Sequence, residues 1–516
     1  MTSDTVAVID FGSQYSQLIA RRVREHRVHS VLCGPKVTPD ELRAMNAVGV
    51  ILSGGPSSVY AQDAPTCAAE IFDMNLPILG ICYGMQLACR MLGGKVEPTK
   101  SHEYGRTRLE QIKTDPLLSH LPSPTSVWMS HSDVVKAPGD EFIALARTAN
   151  CPYAVVRHAR RPFYGLQFHP EVTHTPGGSQ IIRNFLYDIC GCAGDWHVGN
   201  LIRDHVHRIA QRVGADERVI CGLSGGVDSS VTAALLHQAI GDRLVCIYVD
   251  NGLMRSGESD LVEATFCEHF KIDLRVVHAQ ERFLSALAGV EDPQDKRKII
   301  GHEFIEVFKA EALTIDRALY LAQGTLYPDV IESGQSIGGV AVNIKMHHNV
   351  GGLPDELGFE LIEPLRDLFK DEVRRMGEHL GLPDEIVWRH PFPGPGLAIR
   401  IMGPVTPQDL EILRQADAIL LEEIRAEGWY AKIAQAFAVL LPISTVGVMG
   451  DQRSYAGQKV IAIRLVESSD FMTADWVHMD YEVLGRVSTR IINEVPHVNR
   501  VVYDISTKPP STIEWG

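Results

Sequence analysis

The chain has 516 residues, 45% hydrophobic and 22% charged, with ten cysteines. At roughly 150 residues per domain this length suggests about three domains, and the composition excludes disordered, collagen-like and small disulfide-stapled chains. The net charge of −15 makes the chain a poor bulk binder of nucleic acid or anionic membrane. Any phosphate it holds must be held locally, by backbone amides or a few placed cations.

The run VAVID at 6–10 reads as a strand rather than a basic leader with a long apolar core. A helix is expected at 15–26, a strand at 49–52, a helix at 67–74, a strand at 77–81 and a helix at 85–92. Such alternation predicts a parallel sheet with helices on both faces. Beyond Gly93 the pattern shifts to shorter, more polar strands, closing on a strand at 163–168 and a helix near 180–188. CGCAGD at 190–195 is small and polar and marks a boundary. One CxC is a weak metal signal, and without CxxC pairs reduced thiols and a cytoplasmic location are the expectation. A second alternation follows: helices at 201–213 and 229–240, strands at 219–223, 244–249, 274–278 and 317–322. PFPGPG at 391–396 cannot be helix interior and reads as a rigid linker. A helix at 407–427 and strands at 460–465 and 498–503 then form an α+β pattern. The charge-free stretch 433–450 contains Gln435, Pro442 and two glycines, which favours a helix followed by a strand over a membrane span. The expected fold is two consecutive parallel-sheet α/β domains, 1–195 and 196–391, followed by a smaller α+β domain, 392–516.

Three strings in the first domain point to acyl chemistry. PILGICYGMQ at 77–86 puts Cys82 where an apolar strand turns into a helix. A Gly-flanked elbow exposes the thiol, and the helix N-terminal amides favour thiolate. In YGLQFHPE at 164–171, His169 and Glu171 are two apart, so an extended chain puts them on one side. A carboxylate beside an imidazole sets its tautomer and stabilises imidazolium. ILSGGP at 51–56 follows a buried strand with glycines whose amides can turn toward an oxyanion. Together these strings resemble the class I glutamine amidotransferases over about residues 4–190. The resemblance implies a Cys82–His169–Glu171 triad, an oxyanion hole from the Gly55 and Tyr83 amides, and glutamine hydrolysis through a glutamyl thioester.

The second domain carries a phosphate loop of another kind. RVICGLSGGVDSS at 218–230 lies between a strand and a helix, with no Walker lysine. The helix N-terminus and the hydroxyls of Ser224, Ser229 and Ser230 make an anion site without a cationic side chain. The string resembles the loop of adenylating ATP pyrophosphatases. By that resemblance Ser224, Gly225, Gly226, Val227, Asp228, Ser229 and Ser230 bind ATP, which leaves as AMP and pyrophosphate. Mg²⁺ is expected with the ATP, with no prosthetic group. Asp228 is a candidate metal contact, or it caps the helix. Neutral ammonia would have to pass sheltered between the two sites.

Later strings narrow the acceptor: DKRKIIG at 295–301, QGTLYPD at 323–329, NIKMHHNVGG at 343–352, and a tail running from Tyr503 to Trp515. With the two sites, they resemble the glutamine-hydrolysing GMP synthases along essentially the whole chain. The resemblance implies xanthosine monophosphate (XMP) as the acceptor, with Arg297, Gln435, Lys508 and Glu514 as its contacts. It also implies Lys345 on a lid over the ATP site and a homodimer made by the third domain. Met346 departs from the Ser or Thr expected beside Lys345. An NAD synthetase or asparagine-type enzyme shares the loop but not the tail. No nucleic acid or membrane partner is expected.

Overall fold

The computed structural model describes residues 4–332, 358–449, 452–454, 458–468, 471 and 473–516. The chain divides into two compact units, one carrying Met1–Leu201 and the other Ile202–Tyr327 with the C-terminal part of the chain.

The first unit is built on β1 (Thr5–Ile9), α1 (Ser16–Glu25), β2 (His29–Cys33), β3 (Ala47–Leu52), β4 (Ile78–Ile81), α2 (Tyr83–Met91), β5 (Lys95–Gln111), β6 (Thr125–Ala137), β7 (Phe142–Arg147), β8 (Val155–His158), β9 (Phe163–Leu166) and α3 (Gly178–Asn184). Its nine-stranded sheet has the order β2-β1-β3-β4-β9-β8-β7-β5-β6. From β2 to β9 the pairs are parallel, and from β9 to β6 antiparallel. Every residue of β1 and β4 is buried, as expected for parallel strands covered on both faces. Val50, Leu52, Ile78, Met85 and Phe163 share one core. The helix expected at 67–74 is a single 3₁₀ segment, Ala69–Asp73.

The second unit opens with β10 (Arg218–Leu223), α4 (Val227–Ile240), β11 (Leu244–Asp250), β12 (Asp273–His278), α5 (Pro293–Ala312), β13 (Ala318–Ala322), β14 (Glu360–Ile362) and α6 (Lys370–His379). Its sheet, β12-β11-β10-β13-β14, is parallel throughout. Next come α7 (Pro407–Ala426), β15 (Gln435–Ser444), β16 (Lys459–Glu467), β17 (Asp475–Trp476), α8 (Tyr481–Glu494) and β18 (Val498–Tyr503). Here β16 pairs antiparallel with β15 and β17 and parallel with β18. Thr406 caps α7 through the Asp409 amide at 3.1 Å, and Pro407 supplies the preset φ of the first turn. The parallel sheet and the C-terminal elements share one core, which runs from Ile220 and Val245 to Leu413, Ile461 and Ile491.

Two expectations are corrected in this unit. The stretch 433–450 is not helix followed by strand, because its apolar run is the strand β15. Ala436, Ala438 and Leu440 face the large core, while Phe437 and Val439 face a second cluster with Ala462, Val466 and Ile513. With both faces buried, the period of two vanishes from the hydropathy pattern. PFPGPG is less a linker than a docked turn. Gly396 (φ +62°) runs so close to Leu253 that a Cβ there would lie 2.3 Å from its carbonyl oxygen, and Leu397, Ala398 and Ile399 are fully buried.

Candidate active sites

The first site starts at the β4–α2 elbow. Gly80 lies so near α2 that a Cβ would sit 2.7 Å from the Met85 nitrogen, and a Cβ on Gly84 would sit 2.4 Å from the Leu52 oxygen. The two glycines let the helix start against the sheet, with Cys82 at φ 48°, ψ −104°. Such a backbone costs about 1–3 kcal/mol and persists where surrounding bonds hold it. Here the Cys82 amide donates to Leu166 O at 2.6 Å and the Gly84 amide to Ser53 O at 3.0 Å.

His169 lies just past β9, its amide bonded to Trp128 O at 3.1 Å. Its Nδ1 meets Glu171 Oε1 at 2.7 Å, and Cys82 lies close enough to act on the ring's charge. Glu171 is fully buried, and its carbonyl accepts from Arg22 Nε at 3.0 Å. Burial acts to lower the His169 pKa, but Glu171 and Cys82 outweigh it and hold the ring's pKa well above its ordinary value. The glycine turn after β3 closes on the same point. A Cβ on Gly54 would lie 3.2 Å from His169 Cε1, and one on Gly55 would lie 3.1 Å from the Tyr83 ring. The structure thus brings Cys82, His169, Glu171, Gly55 and Tyr83 together. Sequence reasoning missed the other neighbours of the sulfur. Ser130 O accepts from Sγ at 3.7 Å, and Gln167 Nε2 donates to it at 3.6 Å. Gln167 stands inside the string that held His169, so the signal was present but unread.

The second site is the β10–α4 turn. Gly225 has φ +71°, and the Ser224 amide and hydroxyl both bond Ser229 Oγ, at 3.2 and 3.1 Å. No side chain caps α4, whose first residue is Val227, so its N-terminal amides remain for an anion. Ser230 is fully buried, and its hydroxyl lacks a partner among the described residues. The QGTLYPD string comes alongside, for a Cβ on Gly324 would lie 3.2 Å from Asp228 Cβ.

The expectation of an anion site without cationic side chains is wrong. Lys370 Nζ pairs with Asp228 Oδ2 at 2.5 Å, and Arg389 Nη1 donates to Gly225 O at 2.6 Å. Arg374, one turn along α6, also feels Asp228. These residues follow the loop by more than 140 positions, with no local pattern to mark them. Asp228 is therefore an ion-pair partner, and its Oδ1 is buried without a hydrogen bond among the described residues.

Of the four expected XMP contacts, two meet. Gln435 Nε2 donates to Glu514 Oε1 at 2.7 Å, and the buried Arg400 holds the same carboxylate at 2.8 Å. Arg297 donates to Gly516 O, two residues beyond Glu514. Lys508 instead donates to Phe471 O at 2.7 Å. Lys345 lies outside the described residues.

Three family models match parts of the chain. A family model described as Glutamine amidotransferase class-I matches residues 7–189, one described as NAD synthase matches 198–299, and one described as GMP synthase C terminal domain matches 422–515. The protein named GMP synthase (glutamine-hydrolyzing) of Geobacillus kaustophilus is 55% identical over 516 residues, covering 100% of both chains. That of Halothermothrix orenii is likewise 55% identical over 516 residues, with 100% of both covered. That of Caldanaerobacter subterraneus subsp. tengcongensis is 53% identical over 512 residues, covering 99% of both. At this identity over the full length, the chain belongs to the family of glutamine-hydrolysing GMP synthases.

Proposed function

We propose that this chain hydrolyses glutamine to ammonia and uses the ammonia to aminate XMP to GMP, consuming ATP to AMP and pyrophosphate. The observation that carries this reading is one chain, alike over its whole length to enzymes of that name, holding both a thiol–imidazole–carboxylate cluster and a lysine-free phosphate loop.

In the first domain, 1–195, His169 takes the Cys82 proton and Glu171 stabilises the resulting imidazolium. The sulfur attacks the glutamine amide carbon, and the Gly55 and Tyr83 amides hold the oxyanion. Ammonia leaves with the proton from His169, and water then releases glutamate. In the second domain, 196–391, the loop from Ser224 to Ser230 and the α4 N-terminus hold the β and γ phosphates. The C2 oxygen of XMP attacks the α phosphorus and pyrophosphate leaves. Ammonia adds at C2, and AMP departs with the oxygen. Lys370 and Arg389 lie beside the loop, each paired with a carboxylate, Asp228 and Glu258, and so offset negative charge at a site that must hold a polyanion.

Mg²⁺ would neutralise charge on the polyphosphate as the α–β bond breaks. Among the described residues no cluster of three or more metal-ligating side chains occurs. The fit is instead one protein donor, the unpaired Asp228 Oδ1, with phosphate oxygens and water completing the shell. The third domain, 392–516, supplies Gln435, Lys508 and Glu514 to XMP, with Arg297 reaching the tail from α5. The third domain also forms the homodimer in this reading. A cytoplasmic location fits ten free thiols, and among the described residues no helix is long and apolar enough to cross a membrane.

The test is an assay with XMP, ATP–Mg²⁺ and either glutamine or ammonium, following AMP, pyrophosphate and GMP. Cys82→Ala is expected to abolish glutamine-dependent GMP formation and keep the ammonium-dependent reaction. Equal loss with both nitrogen donors would sink the two-site assignment.

A further inference from the structure

Gln167 has no part in the triad or the oxyanion hole, yet its side chain touches the reacting sulfur. It is fully buried just past β9, and its Nε2 lies 3.6 Å from Cys82 Sγ. The amide's oxygen and nitrogen are near-isosteric, and its hydrogen-bond chain fixes which of them faces the sulfur. The Asp133 backbone carbonyl can only accept, so the group 2.9 Å from it on Gln86 is the amide nitrogen. That nitrogen's second hydrogen points at Gln167, 3.2 Å away, which must present its oxygen there. The Gln167 nitrogen is then left facing Cys82. Asp133 O is itself braced by His131 Nδ1 at 3.0 Å, and His131 Nε2 by Glu103 at 3.3 Å.

The two neighbours of the sulfur favour opposite protonation states. Ser130 O accepts from the thiol S–H at 3.7 Å and so favours the neutral form. Once the proton has moved to His169, that carbonyl faces an anion and no longer stabilises it. An N–H donor does the reverse, because a thiolate accepts far better than a thiol and a charge-assisted bond is about twice as strong as a neutral one.

We propose that Gln167 is a further catalytic residue of the glutaminase site, donating its side-chain N–H to the Cys82 thiolate, with Gln86 and Asp133 O setting the amide's orientation. The proposal rests on the reading of Cys82 as the nucleophile. No bond to Gln167 forms or breaks. Its donor holds the anionic sulfur from deprotonation until the sulfur joins the amide carbon, and again when the thioester releases it.

The experiment is the rate of Cys82 alkylation by iodoacetamide in the full-length protein without glutamine, read on the Cys82 peptide by mass spectrometry. Gln167→Met keeps the length and removes the donor, while Gln167→Asn keeps an amide but withdraws it by one methylene. Both are expected to alkylate about tenfold more slowly than the wild type. The glutamine-dependent kcat should fall by a similar factor, with a smaller change in KM. Ammonium-dependent GMP formation and the thermal midpoint serve as folding controls, and if one variant fails them the other carries the test. A folded variant that alkylates at the wild-type rate overturns the proposal. Failure of the nucleophile reading looks different: Cys82→Ala would then keep glutamine-dependent activity, whatever Gln167 does.

Discussion

His169 balances opposing influences within a few ångströms. Burial alone would leave the ring neutral, but Glu171 and the Cys82 anion together hold the proton that the ring takes from the thiol, to well above the ring's ordinary pKa. The sign of a pH effect follows. Glu171→Gln keeps a hydrogen-bond acceptor but removes the carboxylate charge, so the His169 pKa should fall. The alkaline limb of the glutamine-dependent rate should move to lower pH, and ammonium-dependent synthesis should keep its profile. An unmoved limb would mean that Glu171 does not set the imidazolium. The spacing of His169 and Glu171 made this pair legible in the sequence, because two residues in extended chain share a side. The Gln167 contact was not legible. It depends on β6 bringing Asp133 to Gln86, 47 residues away, and on Gln86 reaching Gln167, 81 residues away.

At the scale of elements, Cys82 is placed by close packing of α2 on β3. The built Cβ at Gly84 sits 2.4 Å from Leu52 O, a backbone atom that cannot rotate away. Gly84→Ala should therefore push the helix off the strand, at a cost of about 1–3 kcal/mol. The expected result is a lower thermal midpoint and a large loss of glutamine-dependent activity. Ammonium-dependent activity should survive, because the two units have separate cores. The strand–turn–helix context of both sites was readable from local hydropathy and glycines. The cations of the second site were not, since Lys370 and Arg389 reach the loop only through the packing of later elements. Residues 433–450 show the converse failure, where burial on both faces erased the alternation that would have marked a strand.

Across the second unit as a whole, one buried ammonium ties α5 to the chain after the PFPGPG turn. Lys296 is fully buried, and its Nζ donates to Ala398 O, Ile401 O and Gly403 O at 3.2, 2.7 and 2.6 Å. Those carbonyls flank Arg400, which holds Glu514. Burial pushes the Lys296 pKa down to about 8, against the upward pull of Glu291 and Asp292. The unfolded chain, near its ordinary value of about 10.4, then binds more protons than the folded one between those two values. Stability should rise with pH across that window. Lys296→Met should flatten the rise, as read by urea unfolding at several pH values, and an unchanged slope would count against the buried charge. The sequence by itself determined the two α/β patterns and the order of the two candidate sites, because these lie in short strings whose periodicity and glycines act locally. Tertiary structure alone decided which side chains surround those sites. The Gln167 donor, the Lys370 and Arg389 cations and the Arg400–Glu514–Gln435 cluster all join residues tens to hundreds of positions apart. Contacts at such separations are set by how sheets and helices pack, and packing leaves no periodic mark on the chain.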